Sequence, residues 1–98
     1  MEIFSSPPQF QWDAGNQEKN LRKHRVSNEE CEEAFFDPHK RMLPAVRSAI
    51  GEPRHLLIGR TQAGRLLFIV FTVRQHAIRV ISARDLNRRE RHLYEKAA

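Results

Sequence analysis

Leu66-Leu67-Phe68-Ile69-Val70-Phe71 is the longest apolar run in the chain, and its reading decides the fold. It is far shorter than the ~18–20 residues that a membrane span needs. It has the length of a β-strand, and a strand that is apolar on both faces is covered on both sides. The run therefore predicts a central strand over about Arg65–Val73. Turn signals flank it, Gln62-Ala63-Gly64 before and Arg74-Gln75-His76 after. Two hairpins then join it to strands at about Arg54–Arg60 and Ala77–Ala83. Alternation in the last strand predicts Ile78, Val80 and Ser82 on one face and Arg79, Ile81 and Ala83 on the other.

Working outward, Met42-Leu43-Pro44-Ala45-Val46 reads as an irregular edge strand, where proline is tolerated, and Gly51-Glu52-Pro53 as a turn. Ser27-Asn28-Glu29-Glu30 is a capping box with Val26 and Cys31 placed for a hydrophobic staple. The helix it starts buries Cys31, Ala34 and Phe35, turns Glu29, Glu30, Glu32 and Glu33 to water, and stops at Asp37-Pro38. Asp13 is placed to cap an earlier helix running to about His24, with Leu21 its one large apolar residue. Phe10-Gln11-Trp12 reads as a short strand or extended arm laying two rings on the core, and residues 1–9, broken by Ser5-Ser6-Pro7-Pro8, as a flexible tail. Asp85 is placed to cap a last helix with the stripe Leu86, Leu93, Tyr94 and Ala97 and the charged face Arg88, Arg89 and Arg91. The expectation is one α+β domain over residues 10–98: two N-terminal helices, an antiparallel sheet of three to four strands and a C-terminal helix.

At 98 residues, 40% of them apolar, the chain has room for one core. Lys and Arg outnumber Asp and Glu by 17 to 12, for a formal charge of +5. That excess raises affinity for any polyanion. Lysine stands only at positions 19, 23, 40 and 96, so most of the charge is arginine, whose planar fork grips phosphate oxygens in pairs. RNA is the expected polyanion. The lone Cys31 excludes an intramolecular disulfide and fits a reducing compartment. Met1–Pro8 has no signal-peptide pattern, and the expected location is the cytoplasm, away from membranes.

No Gly-rich phosphate loop, CxxC, HExxH or GxSxG motif occurs, and His24, His39, His55, His76 and His92 lack metal-ligand spacing. No metal or cofactor is expected. What remains is a basic constellation: Lys23-His24 at the end of the first helix, Arg54, Arg60 and Arg65 around the first hairpin, and Arg79 and Arg84 on the last strand. RNA cleavage needs a base for the 2′-OH proton, an acid for the leaving 5′-oxygen, and cations for the charge growing on phosphorus. Imidazole suits the proton transfers and arginine the phosphate. By alternation Ser82 is an inward-facing core hydroxyl. Arg84 is placed to serve the site or to pair with Asp85.

Several blocks then resemble the BrnT family. Phe10-x-Trp12-Asp13 is followed by Asn20-x-x-Lys23-His24-x-Val26-Ser27-x-Glu29-Glu30 and by Phe36-Asp37-Pro38. Glu52-x-Arg54-x-x-x-Ile58-Gly59 is similar to the next block, and Ile78-Arg79-Val80-Ile81-Ser82-Ala83-Arg84, Arg88-x-Glu90-Arg91 and Tyr94 to the last. The resemblance spans roughly residues 10–95. It implies a RelE-like fold and a ribonuclease toxin of a type II toxin–antitoxin system that arrests translation. It also implies a BrnA-like ribbon-helix-helix antitoxin, a toxin–antitoxin heterotetramer, and operator DNA bound only through the antitoxin. By position, Lys23, His24, Arg54, Arg79, Ser82 and Arg84 become the catalytic candidates, with Arg60, Arg65, Arg88 and Arg91 as RNA contacts. The chain departs from the family in Arg25, where glycine is common and a left-handed turn would suit an L-residue poorly, in Asn28, and in the Ser5–Pro8 arm. The alternative function is a non-catalytic module that binds nucleic acid or a protein partner.

Overall fold

The computed structural model describes residues 6–16, 19–47 and 52–95, the side chains of 44–47 excepted. In chain order the elements are α1 (Lys19–His24), α2 (Asn28–Phe35), β1 (Arg41–Arg47), β2 (Pro53–Arg60), β3 (Leu66–Arg74), β4 (Ala77–Asp85) and α3 (Arg88–Glu95). The strands form an antiparallel meander in the order β1-β2-β3-β4. β3 is interior and covered on both faces, as its unbroken apolar run requires. On one face Leu67, Ile69 and Phe71 join Leu57, Ile78, Val80 and Ala83 under Ala34 and Phe35 of α2. On the other, Leu66 and Phe68 pack with Ile58, Leu86 and Tyr94 beneath α3. β1 is the irregular edge strand, with a register shift between Leu43 and Val46 around Pro44.

α2 begins where its capping box predicts. Ser27 Oγ accepts from the Glu30 N–H at 3.0 Å and Glu30 Oε1 accepts from the Ser27 N–H at 3.0 Å. Val26 and Cys31 are both buried beside the cap. Burial pushes the Cys31 thiol up to about 12, so it is held protonated. Gly59 lets the helix lie directly on β2, because a Cβ there would stand 2.4 Å from the Ala34 carbonyl oxygen. The acidic face differs from expectation: only Glu29 is fully exposed. Glu32 accepts from Trp12 Nε1 at 2.8 Å, Glu33 from the Gln62 N–H at 3.1 Å, and Glu30 from Arg65 at 3.2 Å. The helix uses its acids as ties to three other segments.

The N-terminal segment extends the sheet. Ile78 donates to the Gln9 carbonyl and accepts from the Gln11 N–H, both at 2.8 Å, so Phe10 bridges Ile78 in parallel. The Phe10 and Trp12 rings then reach the core, Phe10 meeting Phe35 edge-on at 5.3 Å. Residues 1–5 of the expected tail lie outside the described residues.

Asp13 does not cap α1. Its Oδ1 accepts from the Gly15 N–H at 2.8 Å in a local turn, and the described helix starts at Lys19. A short acidic side chain bonding its own backbone two residues on competes with capping. The helix is mostly solvent-facing, with Leu21 46% exposed and Asn20 its buried residue. Asn20 Oδ1 accepts from the Ala83 N–H at 3.0 Å, and Asn16 Nδ2 donates to the Val80 carbonyl at 3.2 Å. Two buried asparagines thus satisfy the outer edge of β4 where the Gln9–Gln11 pairing stops. Arg25 closes α1 in the left-handed region at φ 57°, at a cost of about 1–2 kcal/mol for an L-residue.

Two further expectations are corrected at the C-terminal end. The register between β3 and β4 shifts, Val70 facing Ser82 but Phe71 facing Val80, so Ile81 is the extra residue of a β-bulge. Alternation fails across it: Ala83 joins Ile78 and Val80 in the core, and Ser82 turns half-exposed to the opposite face. Asp85 is the last residue of β4, and Asn87 caps α3. Asn87 Oδ1 accepts from the Glu90 N–H at 2.8 Å, and the Asn87 N–H donates back to Glu90 Oε1 at 3.1 Å. A second capping box, Asn-x-x-Glu, therefore starts this helix. Leu86 and Tyr94 are buried as expected, Leu93 is 37% exposed, and Ala97 lies outside the described residues.

Candidate nucleic-acid interface

The sheet register assembles a row of polar side chains that no local motif reveals. Thr72 of β3 faces Arg79 of β4. On its other side, Arg54 of β2 continues the register one residue beyond the His55–Phe71 pair. Since neighbouring strands lie about 4.8 Å apart, Arg54, Thr72 and Arg79 share one face within about 10 Å of backbone. The next row on that face, Leu56, Val70 and Ser82, is half-buried. α3 covers the far end, over Ile58, Leu66 and Phe68.

Arg79 is the best-held cation of the row. Its Nη1 meets Asp13 Oδ2 at 2.5 Å and its Nη2 meets Asp13 Oδ1 at 3.0 Å, with the Arg79 side chain 17% exposed. The two hydrogen bonds hold the Asp13 carboxyl below its usual range. A side chain at Gly15 would crowd this pair, since a Cβ there falls 2.8 Å from Arg79 Nη2. Nearby, Arg74 and Glu52 form a bidentate pair at 2.7 to 3.2 Å, and the Glu52 carboxyl also feels Arg79. Arg54 is exposed and has no hydrogen bond or ion pair among the described residues. Thr72 is 5% exposed, and its Oγ1 is buried without a hydrogen-bond partner among the described residues.

Arg84 and Ser82 follow on the same face after the bulge. Arg84 does not pair with the Asp85 side chain. It grips Glu90 through Nη1 and Nη2 at 2.7 and 2.8 Å, lies 4.5 Å over the Phe68 ring, and donates to the Asp85 carbonyl at 3.1 Å. It ties β4 to the start of α3.

Lys23 and His24 stand elsewhere. They end α1 beside the far end of β4, where the His24 charge is felt by Asp85. Arg79 and Asp85 are separated along the strand by about 20 Å. The hub at that end is Arg65, whose five N–H donors all go to its own chain: Asp85 Oδ1 and Oδ2 at 2.6 and 3.1 Å, the Arg25 and His24 carbonyls at 2.7 and 3.1 Å, and Glu30 at 3.2 Å. Arg65 fixes the turn between α1 and α2 onto the end of the sheet.

Arg60 lies near a third cluster that the sequence reading missed. Asp37, read only as a helix stop, is 8% exposed and accepts from the His39 and Arg60 N–H groups and the Tyr94 hydroxyl at 2.9, 2.8 and 2.7 Å. Burial pushes its carboxyl up, but the three donors outweigh that and hold it below the usual range. The Arg60 guanidinium lies 5.5 Å from the Tyr94 ring. Arg88 and Arg91 are exposed on α3 and line a shallow groove with Leu86. Among the described residues no three His, Cys, Asp or Glu side chains gather to hold a metal ion, and no helix is long and apolar enough to cross a membrane.

The six catalytic candidates thus divide: Arg54, Arg79, Ser82 and Arg84 share a sheet face, and Lys23 and His24 lie at the other end of β4. Thr72 escaped the sequence reading, and the bonds that Asp13 and Asp37 make were not foreseen in it. For Thr72 a signal existed: it is the first polar residue after the run Leu66–Phe71, and pairing the hairpin sets it opposite Arg79. Chemically, guanidinium groups around a free hydroxyl offer several donors to one oxyanion. The family model for the ribonuclease toxin BrnT of type II toxin–antitoxin systems matches residues 12–90. No curated protein matches the chain.

Proposed function

Because this chain belongs to the BrnT family, the ribonuclease toxins of type II toxin–antitoxin systems, we propose that it is a metal-independent endoribonuclease that inhibits translation by cutting RNA. The family match over residues 12–90 is the observation that carries this reading. The arginines of β2 and β4 support it chemically. Charge grows on the phosphorus as the 2′-oxygen attacks, and Arg54 and Arg79, the latter held in place by Asp13, supply cations on one surface that can take that task without a metal ion. Ser82 and Arg84 border the same face. His24 and Lys23 are proposed for proton transfer and phosphate contact on a strand long enough to reach both ends of β4. Arg60, Arg88 and Arg91, all exposed, are proposed to raise the potential along the bound RNA, and Arg65, paired with Asp85 and Glu30, to act only by fixing the turn between α1 and α2.

The neutralising partner is proposed to be a BrnA-like ribbon-helix-helix antitoxin. Such a protein dimerises, and with one toxin on each half it gives a heterotetramer that meets operator DNA only through the antitoxin. The substrate and the single buried Cys31 support a cytoplasmic location.

Purified, antitoxin-free protein should cleave RNA in EDTA, and its expression alone should stop growth. Intact RNA and normal growth with folded protein would sink the proposal. A second reading, RNA binding without cleavage, draws on one observation: His24, His55 and His76 lie off the arginine row. His24 is beside Asp85, His55 meets its cross-strand neighbour Phe71 on the opposite face at a tilted 5.4 Å, and His76 sits in an exposed turn. Salt-sensitive binding with no cleavage, and toxicity indifferent to His24→Ala, would favour it.

A further inference from the structure

The Thr72 hydroxyl stands out among the buried polar groups of the described residues. Asn16, Asn20, Asp37 and Thr61 all find partners, whereas Thr72 Oγ1 has none. A buried hydroxyl without a partner is rare and destabilising, and folded proteins keep such groups chiefly where a ligand or water completes them. Its setting argues for an anion. On the same face it lies between Arg54, which has no counter-charge among the described residues, and Arg79. Asp13 holds Arg79 by its two terminal nitrogens, fixing the plane of the guanidinium and leaving Nε unspent.

We infer that Thr72 Oγ1, with Arg54 and Arg79, forms a subsite for one internal phosphodiester of an RNA strand, the hydroxyl donating to a non-bridging oxygen. A tetrahedral phosphate turns oxygens in several directions and so meets donors arriving from three adjacent strands; a planar carboxylate presents two oxygens in one plane. The carboxylates of Asp13 and Glu52 stand at the margin, each already held by an arginine. The half-buried Leu56 and Val70 beside the row give the sugar an apolar surface to lie on. This inference rests on the chain acting on RNA, and it adds Thr72 as a ligand-contacting residue.

The test uses the full chain and a labelled, 2′-O-methylated oligonucleotide without terminal phosphates, which cannot be cut. Thr72→Val keeps the shape and removes the hydroxyl; Thr72→Ser keeps the hydroxyl. Thr72→Val should melt at the wild-type temperature or above it, because an unpaired buried polar group is gone, yet bind about tenfold or more weakly, as expected for a hydrogen bond to a charged acceptor. Thr72→Ser should bind nearly as the wild type does. Unchanged binding by Thr72→Val overturns the subsite, and so does a wild type that does not bind. A melting temperature several degrees lower for Thr72→Val would also overturn it, by showing that the hydroxyl serves the fold. Cleavage of unmodified RNA by the wild type is scored separately. Cleavage with unchanged Thr72→Val binding removes only the subsite; a tenfold binding loss without cleavage removes only the ribonuclease.

Discussion

Asp13 and Arg79, 66 residues apart in sequence, meet through two hydrogen bonds that join the N-terminal segment to β4 on the face that carries the arginine row. The pair does two things at once. It orients a guanidinium, and it holds a carboxylate at the margin of the proposed phosphate subsite.

Asp13→Asn separates these effects. The amide keeps a hydrogen bond to Arg79 and removes the competing charge. The pair is exposed on the Asp13 side, so the melting temperature should stay within a degree or two of wild type, as usual for surface ion pairs. RNA affinity should rise about two- to fivefold, measured by fluorescence anisotropy at low salt. Weaker binding would mean that the carboxylate mainly serves to position Arg79.

Arg54 and Arg84 should answer differently to truncation. Arg54→Ala removes an exposed cation with no described partner and should change stability by less than about 0.5 kcal/mol while costing tenfold or more in RNA cleavage. Arg84→Ala breaks the grip on Glu90 and the contact over Phe68, and should cost about 1–2 kcal/mol of stability along with activity. Chemical denaturation beside a cleavage assay distinguishes the two. Full activity in both variants would move the site elsewhere.

The β3–β4 turn should be open to improvement. Gln75 and His76 both hold positive φ, 52° and 66°, in a two-residue hairpin turn that favours Asn-Gly. The double change Gln75→Asn, His76→Gly should stabilise the protein by about 1–2 kcal/mol in urea unfolding. No gain would show that these residues make compensating interactions.

Acid should unfold the protein through its tied carboxylates. Asp85 and Glu90 are held below their ordinary values of 3.8 and 4.5, chiefly by the side-chain bonds to Arg65 and Arg84. In Asp37 and Glu30 burial acts upward, but their hydrogen bonds outweigh it. Each folded value is depressed, so between the folded and ordinary values the unfolded chain binds more protons and stability rises with pH. The contribution is complete above about 5 and is lost as pH falls through the depressed values. A melting curve should be flat down to about pH 5 and drop steeply below about 4. Arg65→Met should lower stability at neutral pH by about 2–3 kcal/mol and flatten that acid decline, since Glu30 and Asp85 lose their partner. An equally steep decline would assign the acid sensitivity to other groups.

What was legible in the sequence was local or periodic. The Ser27–Glu30 capping box, the apolar run of β3 and the proline-broken edge strand each carry their meaning within a few residues, and each stands where it was read. What was missed depends on partners far away in sequence. Nothing around Asn16 or Asn20 announces that they will complete the edge of β4 more than sixty residues later. The bulge at Ile81 leaves an alternating pattern intact on paper and reverses the half of the strand that follows it, which is why Ser82 was placed on the wrong face. The basic constellation was legible as a composition. Register and bonding then split it: Arg65 goes to an internal hub, Arg84 to a tie with α3, and Arg54 and Arg79 to a shared row.

The pairing of residues 9–20 with β4 also sets an order in time. Gln9, Gln11, Asp13, Asn16 and Asn20 leave the ribosome early, but their partners Ile78, Arg79, Val80 and Ala83 are made near the end of synthesis. The hairpins of β2, β3 and β4 close over short loops and form first; the N-terminal segment has to wait. A nascent chain therefore carries its arginines on the sheet before Asp13 and the two asparagines can clasp β4. Until that segment pairs, β4 presents an open sheet edge and Arg79 lacks its Asp13 partner.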